Sequence, residues 1–203
     1  MTKRYAWLGI LLFAAKPVTA QRVFYMGELV DGVSRMRIAG YYAASHIKDR
    51  RDIGGFAPCN NYPKAIGKMS MKSNACYLRV DARDSGVTLL LLNTTSKRMV
   101  FSASDSALPI VEEAKDEAGD WQPIEYHQWS FCGNSGHHLA LDPKLYWEFT
   151  AEPCHGQFKT LLRFHLVDGK TDLVSNEIAG RIDPAQLIPP SRRQIMSPVG
   201  PEK

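Results

Sequence analysis

Histidine and cysteine side chains concentrate in two short segments of the sequence, and these are the residue types that bind transition metals. In chain order they are Cys132, His137, His138, Cys154 and His155. Imidazole and thiolate groups suit zinc or copper. If the two segments form loops at one end of a domain, the three histidines are candidate metal ligands. A copper site with Cys, His and Met close together on one loop does not fit, because that spacing is absent after Cys154.

A second candidate chemistry is nucleophilic catalysis by serine. The turn Gly133–Gly136 reads Gly-Asn-Ser-Gly and resembles the nucleophile turn of trypsin-like proteases, with Ser135 in the reactive position. The segment 43–46 resembles the one that carries their catalytic histidine, here His46. A nucleophilic serine needs a base within hydrogen-bond reach and donors for the oxyanion. The alternative is a polar turn in which Gly and Asn accept unusual backbone angles. His137 stands where those proteases have glycine, which favours the turn.

The cysteines have an alternative use as disulfides. The chain has four of them, an even number, and in an exported protein this indicates two bridges. Three pairings are possible, and we favour Cys59–Cys76 and Cys132–Cys154. The first would tie an irregular loop to a strand, and each would stabilise the fold by about 3 kcal/mol. Oxidised cysteines would no longer serve as metal ligands.

The start of the chain predicts export. Lys3 and Arg4 precede the apolar stretch 8–15, and small residues end at a cleavage site after Ala20. This order is typical of a secretory signal peptide at 1–20. The apolar stretch is too short to span a membrane, which takes roughly 20 residues, and no later stretch is long enough after cleavage. We therefore expect a secreted or periplasmic protein.

Charge argues against nucleic acid as a partner. The full chain has a net charge of +4. Residues 1–20 contribute three basic and no acidic residues, so the mature chain carries only +1. No basic stripe interleaved with aromatic residues is present. The expected partner is instead a protein or a carbohydrate at the cell envelope.

Alternating apolar and polar residues predict an all-β domain. Leucine and aromatic residues recur at every second position of three segments: Leu139 and Leu141; Leu145, Trp147 and Phe149; Leu162, Phe164 and Leu166. The continuous apolar run Val87–Leu92 predicts a central strand buried on both faces. About eight or nine short antiparallel strands with little helix indicate a β-sandwich or a small barrel, and we expect the sandwich.

The sequence predicts one domain after the signal peptide, followed by a C-terminal tail. Residues 21–183 are expected to form one domain, with 33–75 a strand plus a long irregular loop, and 76–183 the main sandwich. We expect 184–203 to be a disordered tail.

Two segments inside the domain are harder to assign. In the first strand, Arg35–Tyr42, Ile38 and Tyr42 are expected on one side and Arg37 on the other. The acidic segment 108–118 predicts a strand or short helix with a solvated surface.

Several segments between Val87 and Ile182 resemble bacterial immunoglobulin-like β-sandwiches of secreted proteins. They are Leu92–Thr95, the turn before Trp121, Thr160–Phe164 and Ser175–Ile178. The resemblance covers about half of the chain and implies the fold, while its function stays open. The sequence departs from antibody domains, which have Tyr two residues before their second core Cys, where this chain has Ser130.

These patterns predict a non-enzymatic exported protein with a binding or structural accessory role and no cofactor. The aromatic segment 121–131 offers Tyr126 and Trp129 as a possible contact surface. The metal-binding and serine-hydrolase alternatives remain open at this point. Asn93-Thr94-Thr95 is a glycosylation sequon, relevant if the source is eukaryotic.

Overall fold

The computed structural model describes residues 35–46, 59–83, 86–129, 135–169 and 171–188. Strands dominate this part of the chain, which contains no α-helix, so the all-β prediction is confirmed. In chain order the strands are β1 (Arg37–Ile38), β2 (Lys64–Ala65), β3 (Cys76–Arg83), β4 (Gly86–Asn93), β5 (Met99–Ser104), β6 (Ile110–Lys115), β7 (Trp121–Pro123), β8 (Glu125–Tyr126), β9 (Gly136–Leu141), β10 (Leu145–Ala151), β11 (Phe158–Asp168), β12 (Thr171–Val174) and β13 (Ile178–Ile182).

A four-stranded antiparallel sheet is built around β4, in the order β2-β10-β4-β3. Its central strand has apolar residues on both faces. Leu89 and Leu91 pack into the main core, whereas Leu90 and Leu92 pack with Tyr77 on the opposite face. The prediction of a central strand buried on both faces is therefore confirmed.

A five-stranded sheet is built around β11. This strand pairs with β6 on one side and with β12 and then β13 on the other, while β7 lies beyond β6. Between β12 and β13 the chain projects Asn176 toward the edge of β3 in the first sheet. The Asn176 amide accepts a hydrogen bond from Val80 N and donates one to Val80 O, both 2.9 Å. One side chain thus takes the place of a neighbouring strand at that edge.

Two smaller pairs complete the strands. The antiparallel pair β5–β9 joins segments far apart in sequence, although β5 follows β4 at hairpin distance. The pair β1–β8 is parallel, with Arg37 opposite Glu125 and Ile38 opposite Tyr126.

The sheets share one main hydrophobic core, as expected of a β-sandwich. Its largest fully buried side chains include Trp147, Phe101, Phe164 and Leu166. Leu162 is also buried, in a smaller cluster with Ile182. The predicted inward faces are confirmed.

The N-terminal part of the domain corrects the predicted alternation. Only Arg37–Ile38 of the predicted strand 35–42 is a strand. Tyr41 is 3% exposed and belongs to the core, whereas Tyr42 is 44% exposed. The Arg37 side chain also faces the interior, where it forms ion pairs with the buried carboxylates of Glu112 and Glu125.

The C-terminal boundary at 183 is also corrected. Pro184–Leu187 forms a 3-10 helix with Asp183 as its N-cap, and Gln186 is buried. Residues 189–203 and the segment 1–20, for which a signal peptide is predicted, lie outside the described residues. No helix in the described residues is long and apolar enough to cross a membrane.

Candidate functional site

The most concentrated group of ionisable side chains surrounds Arg37. The parallel pairing of β1 with β8 sets Arg37 beside Glu125, and β6 brings Glu112 from the neighbouring sheet. Arg37 Nη2 lies 2.6 Å from Glu112 Oε2 and 3.1 Å from Glu125 Oε1. The carboxylate side chains are 1% and 7% exposed, so two buried acids share one cation. We call this group, with Tyr41 and Cys154, the carboxylate cluster.

The alternation of β6 explains why this cluster was missed. Adjacent residues of a strand point to opposite faces, so Glu112 points inward while Glu113 points to the outer face of the five-stranded sheet. The sequence segment 108–118 was expected to present its acids to water. That expectation is wrong for both glutamates, which are 1% and 8% exposed.

Glu125 is held by several donors. Its Oε2 accepts a hydrogen bond from the Tyr41 hydroxyl at 2.7 Å and another from the backbone N of Glu112 at 2.9 Å. Its Oε1 faces Arg37. These bonds fix the carboxylate against both the N-terminal segment and β6.

Cys154 forms the outer side of the cluster. Its thiol donates to Glu112 Oε2 at 3.2 Å, and its sulfur accepts from Arg37 Nη2 at 3.3 Å. Arg37 Nη1 also donates to the carbonyl of Glu152 at 3.0 Å. The turn after β10 is therefore tied to the same guanidinium.

The electrostatics follow from burial. Burial and the nearby charge of Glu125 raise the pKa of Glu112 to about 7, against the opposing effect of Arg37. Burial also raises the pKa of Glu125 and, with Glu112, that of the Cys154 thiol to about 12. The thiol is thus a poor nucleophile, and the acids are engaged by Arg37.

A second charged network lies on the outer face of the five-stranded sheet. Glu113 accepts from Arg163 Nε at 2.6 Å and faces His165 Nδ1 at 2.8 Å, and His165 Nε2 lies 2.9 Å from Asp172 Oδ1. Arg163 stacks over the Trp121 ring at 4.1 Å. Partial burial lowers the pKa of His165, but hydrogen bonds to the two carboxylates outweigh it and raise the pKa. These contacts hold β6, β7, β11 and β12 together.

The structure does not bring the candidate metal ligands into one site. His137 and His138 are consecutive residues of β9, so their side chains point to opposite faces. His137 is buried with Nδ1 2.9 Å from the carbonyl of Ser135, whereas His138 is exposed. His155 is exposed in the connection between β10 and β11. Among the described residues, no group of three or more His, Cys, Asp or Glu is placed to hold a metal.

Ser135 is not presented as a nucleophile. The residue is fully buried, and the His137 ring faces its carbonyl oxygen. His46 is exposed. The geometry gives the turn a structural use, because the Ser135 carbonyl also accepts from Asp105 N at 3.0 Å.

No disulfide joins the cysteines that the structure describes, so the predicted Cys59–Cys76 bridge is not formed. Cys59, Cys76 and Cys154 are free thiols. Cys76 packs against the main core, while the Cys59 sulfur accepts from Asn61 N at 3.4 Å. Cys154 contacts Arg37 instead of a second sulfur, and Cys132 lies outside the described residues.

The glycosylation sequon is turned inward. Asn93 is fully buried, and its Nδ2 donates to the carbonyls of Lys97 and Leu141 at 2.8 and 2.9 Å. The side-chain oxygen of Asn93 accepts hydrogen bonds from the backbone N and the hydroxyl of Thr95. Asn93 therefore closes the turn after β4, and its amide is not accessible for modification.

The predicted contact residues lie at the end of β8. Trp129 is 48% exposed, and its ring packs edge-on against His127, with ring centroids 4.6 Å apart. Tyr126 is half-buried. Tyr42, 44% exposed, lies four residues after the end of β1, the parallel partner of β8. We call Tyr42, Tyr126 and Trp129 the aromatic surface.

Comparison with known proteins gives no relative. No protein family, curated protein or solved structure matches the chain.

Proposed function

We propose that this protein is exported after cleavage behind Ala20 and acts at the cell envelope as a non-enzymatic binding or structural accessory protein. The observation that carries the proposal is the exposure of Trp129, 48%, on a segment anchored by the β1–β8 pair. A large aromatic ring left in water is a common anchor for a protein or carbohydrate partner.

Two features of the fold support the aromatic surface as the binding site. The backbone beneath it is fixed, because Ala39 N donates to the carbonyl of Tyr126 at 2.9 Å. Tyr42 adds a second exposed ring on the adjacent segment. A rigid platform loses little entropy on binding.

The charged groups of the described part support a structural use over catalysis. Glu112 and Glu125 are engaged by Arg37, and Glu113 by Arg163 and His165. The zinc or copper alternative gains no support from His137 and His138, which point to opposite faces. The serine-hydrolase alternative gains none from the buried Ser135.

The fold-level part of the proposal is an immunoglobulin-like arrangement of the sandwich. It is supported by two antiparallel sheets, β2-β10-β4-β3 and the β11-centred sheet, that pack across a shared core containing Trp147 and Phe164.

Two measurements test the function. N-terminal sequencing of the protein from periplasm or medium should give Gln21; a chain that stays in the cytoplasm and begins at Met1 would contradict export. Affinity capture from the native envelope should then compare wild type with Trp129→Ala. Val100→Ala is the matched control, because Val100 is 50% exposed on β5. A partner retained by wild type and Val100→Ala but lost by Trp129→Ala supports the aromatic surface, and equal capture by all three contradicts it.

A further inference from the structure

The carboxylate cluster contains two buried acids and one cation. Glu112 and Glu125 are 1% and 7% exposed, and Arg37 is the cation that reaches both. One guanidinium balances one ionised carboxylate, and an uncompensated buried charge is costly. The pair is therefore favoured in a form that carries one proton.

The hydrogen bonds indicate where that proton resides. Glu125 accepts from Tyr41, from a backbone N–H and from Arg37, which suits an ionised carboxylate. The contacts of Glu112 with Arg37 and Cys154 both fall on Oε2. The direction of the Glu112 pKa, raised to about 7 mainly by burial, agrees with this assignment.

Six ionisable groups from four parts of the chain face the cluster: Arg37 and Tyr41 from the N-terminal segment, Glu112 from β6, Glu125 from β8, and Glu152 and Cys154 from the turn after β10. Burial raises the pKa of Tyr41 and of Cys154, so both stay neutral near pH 7. The pKa of Arg37 is raised by the carboxylates against the effect of burial, so it stays charged. Glu152 is 88% exposed. Of these six groups, the Glu112–Glu125 pair is the one that changes charge around neutral pH.

We infer that the carboxylate cluster is a pH-sensitive latch between the segments that carry the aromatic surface. One proton, held by Glu112, keeps β1 and β8 closed against β6. Loss of that proton leaves two buried negative charges beside one cation and loosens the two segments. Tyr41 directly precedes Tyr42, and Glu125 directly precedes Tyr126, so the latch residues carry the aromatic surface on their own backbone. The consequence for binding rests on the proposed function, whereas the latch itself does not.

The direction of the pH effect follows from linkage. A carboxyl whose folded pKa is above its unfolded value stabilises the closed form at low pH, and this stabilisation is lost as the pH rises through the folded value. The pKa of the Glu112 carboxyl rises from its ordinary value of 4.5 to about 7 in the closed form. Opening of the latch is therefore expected to increase by about 30-fold between roughly pH 5.5 and 8.5.

Hydrogen–deuterium exchange of the processed chain tests this without any ligand. Rates corrected for intrinsic pH dependence are compared at about pH 5.5 and 8.5, for peptides covering 36–42 and 124–129, with β4 as the internal reference. In wild type, the protection of these peptides from exchange is expected to be about 30-fold lower at the higher pH than at the lower pH. Glu112→Gln keeps an acceptor for Arg37 without the charge, so its protection should not change with pH. Glu117→Gln, an exposed neighbour of β6, should behave as wild type.

Wild-type protection that is equal or greater at the higher pH would overturn the latch, as would a Glu112→Gln variant with the wild-type pH dependence. If Glu112→Gln does not fold, the latch is still tested by the wild-type comparison at the two pH values and by Glu125→Gln. Failure of the latch with intact Trp129-dependent capture leaves the proposed function standing. An intact latch without Trp129-dependent capture counts against the proposed function alone.

Discussion

Arg37 Nη2 and Glu112 Oε2 are separated by 75 positions in the sequence and lie 2.6 Å apart inside the protein. This contact joins the first described strand to the five-stranded sheet. Glu125 and Cys154 approach the same guanidinium nitrogen, at 3.1 and 3.3 Å. Arg37 therefore holds four separate parts of the chain together.

Replacement of Arg37 by Met should be strongly destabilising. It leaves two buried carboxylates without their cation, which typically costs about 3–5 kcal/mol. Urea unfolding at about pH 8 should show this loss, and the loss should shrink at about pH 5, where the carboxyls bind protons. Arg35→Ala is the control, since its ion pair with Asp183 is on the surface, with 60% of the Arg35 side chain exposed; it should cost at most about 1 kcal/mol. Equal losses in the two variants would contradict the role given to Arg37.

Gly156 fixes the turn that carries Cys154 to the cluster. A Cβ at this position would lie 2.0 Å from the backbone C and O of Ile182. Gly156→Ala must displace backbone and should cost about 1–3 kcal/mol. Gly67→Ala offers the comparison, because a Cβ there has no atom within 4 Å. Thermal midpoints should fall for the first variant and hold for the second; a midpoint that holds for Gly156→Ala would show that this close approach is absent.

Substitution of Trp147 should lower the stability of the protein, whereas substitution of Trp129, on the aromatic surface, should leave stability nearly unchanged. Trp147 is fully buried and donates from Nε1 to the carbonyl of Ala44 at 2.9 Å, so Trp147→Ala should cost about 3–5 kcal/mol. Trp129→Ala removes a half-exposed ring and should change the free energy of unfolding by no more than about 0.5 kcal/mol. Chemical denaturation measures both. If Trp129→Ala proves the more damaging, Trp129 belongs to the core and the aromatic surface is wrong.

Asn176 should keep the β3 edge from pairing with another chain. Asn176→Ala removes both hydrogen bonds to Val80 and exposes an edge strand, which favours self-association. Sedimentation at increasing concentration should show dimers or larger species for this variant, with wild type and the neighbouring Glu177→Ala unchanged. A strictly monomeric Asn176→Ala would contradict the edge-capping role.

The sequence predicted what depends on local periodicity and missed what depends on distant contacts. The run of four leucines in β4 was assigned correctly as a strand buried on both faces, and so were the inward faces of β10 and β11. Glu112 was assigned to a solvated surface, because its partner Arg37 lies far away in the sequence. Tyr42 was predicted on the same side of a strand as Ile38, but Tyr42 is exposed and Tyr41 is the buried residue. The alternation fails here because β1 is only two residues long.

The aromatic surface, the residues Tyr42, Tyr126 and Trp129, is the central claim, and site-specific photo-crosslinking tests it most directly. A photoreactive amino acid is placed at position 129, or at exposed position 117 as the control, in the cells that make the protein. The proposed function predicts a discrete adduct with an envelope protein or glycan from position 129 and none from position 117. No adduct from position 129, or the same adducts from both positions, would contradict it.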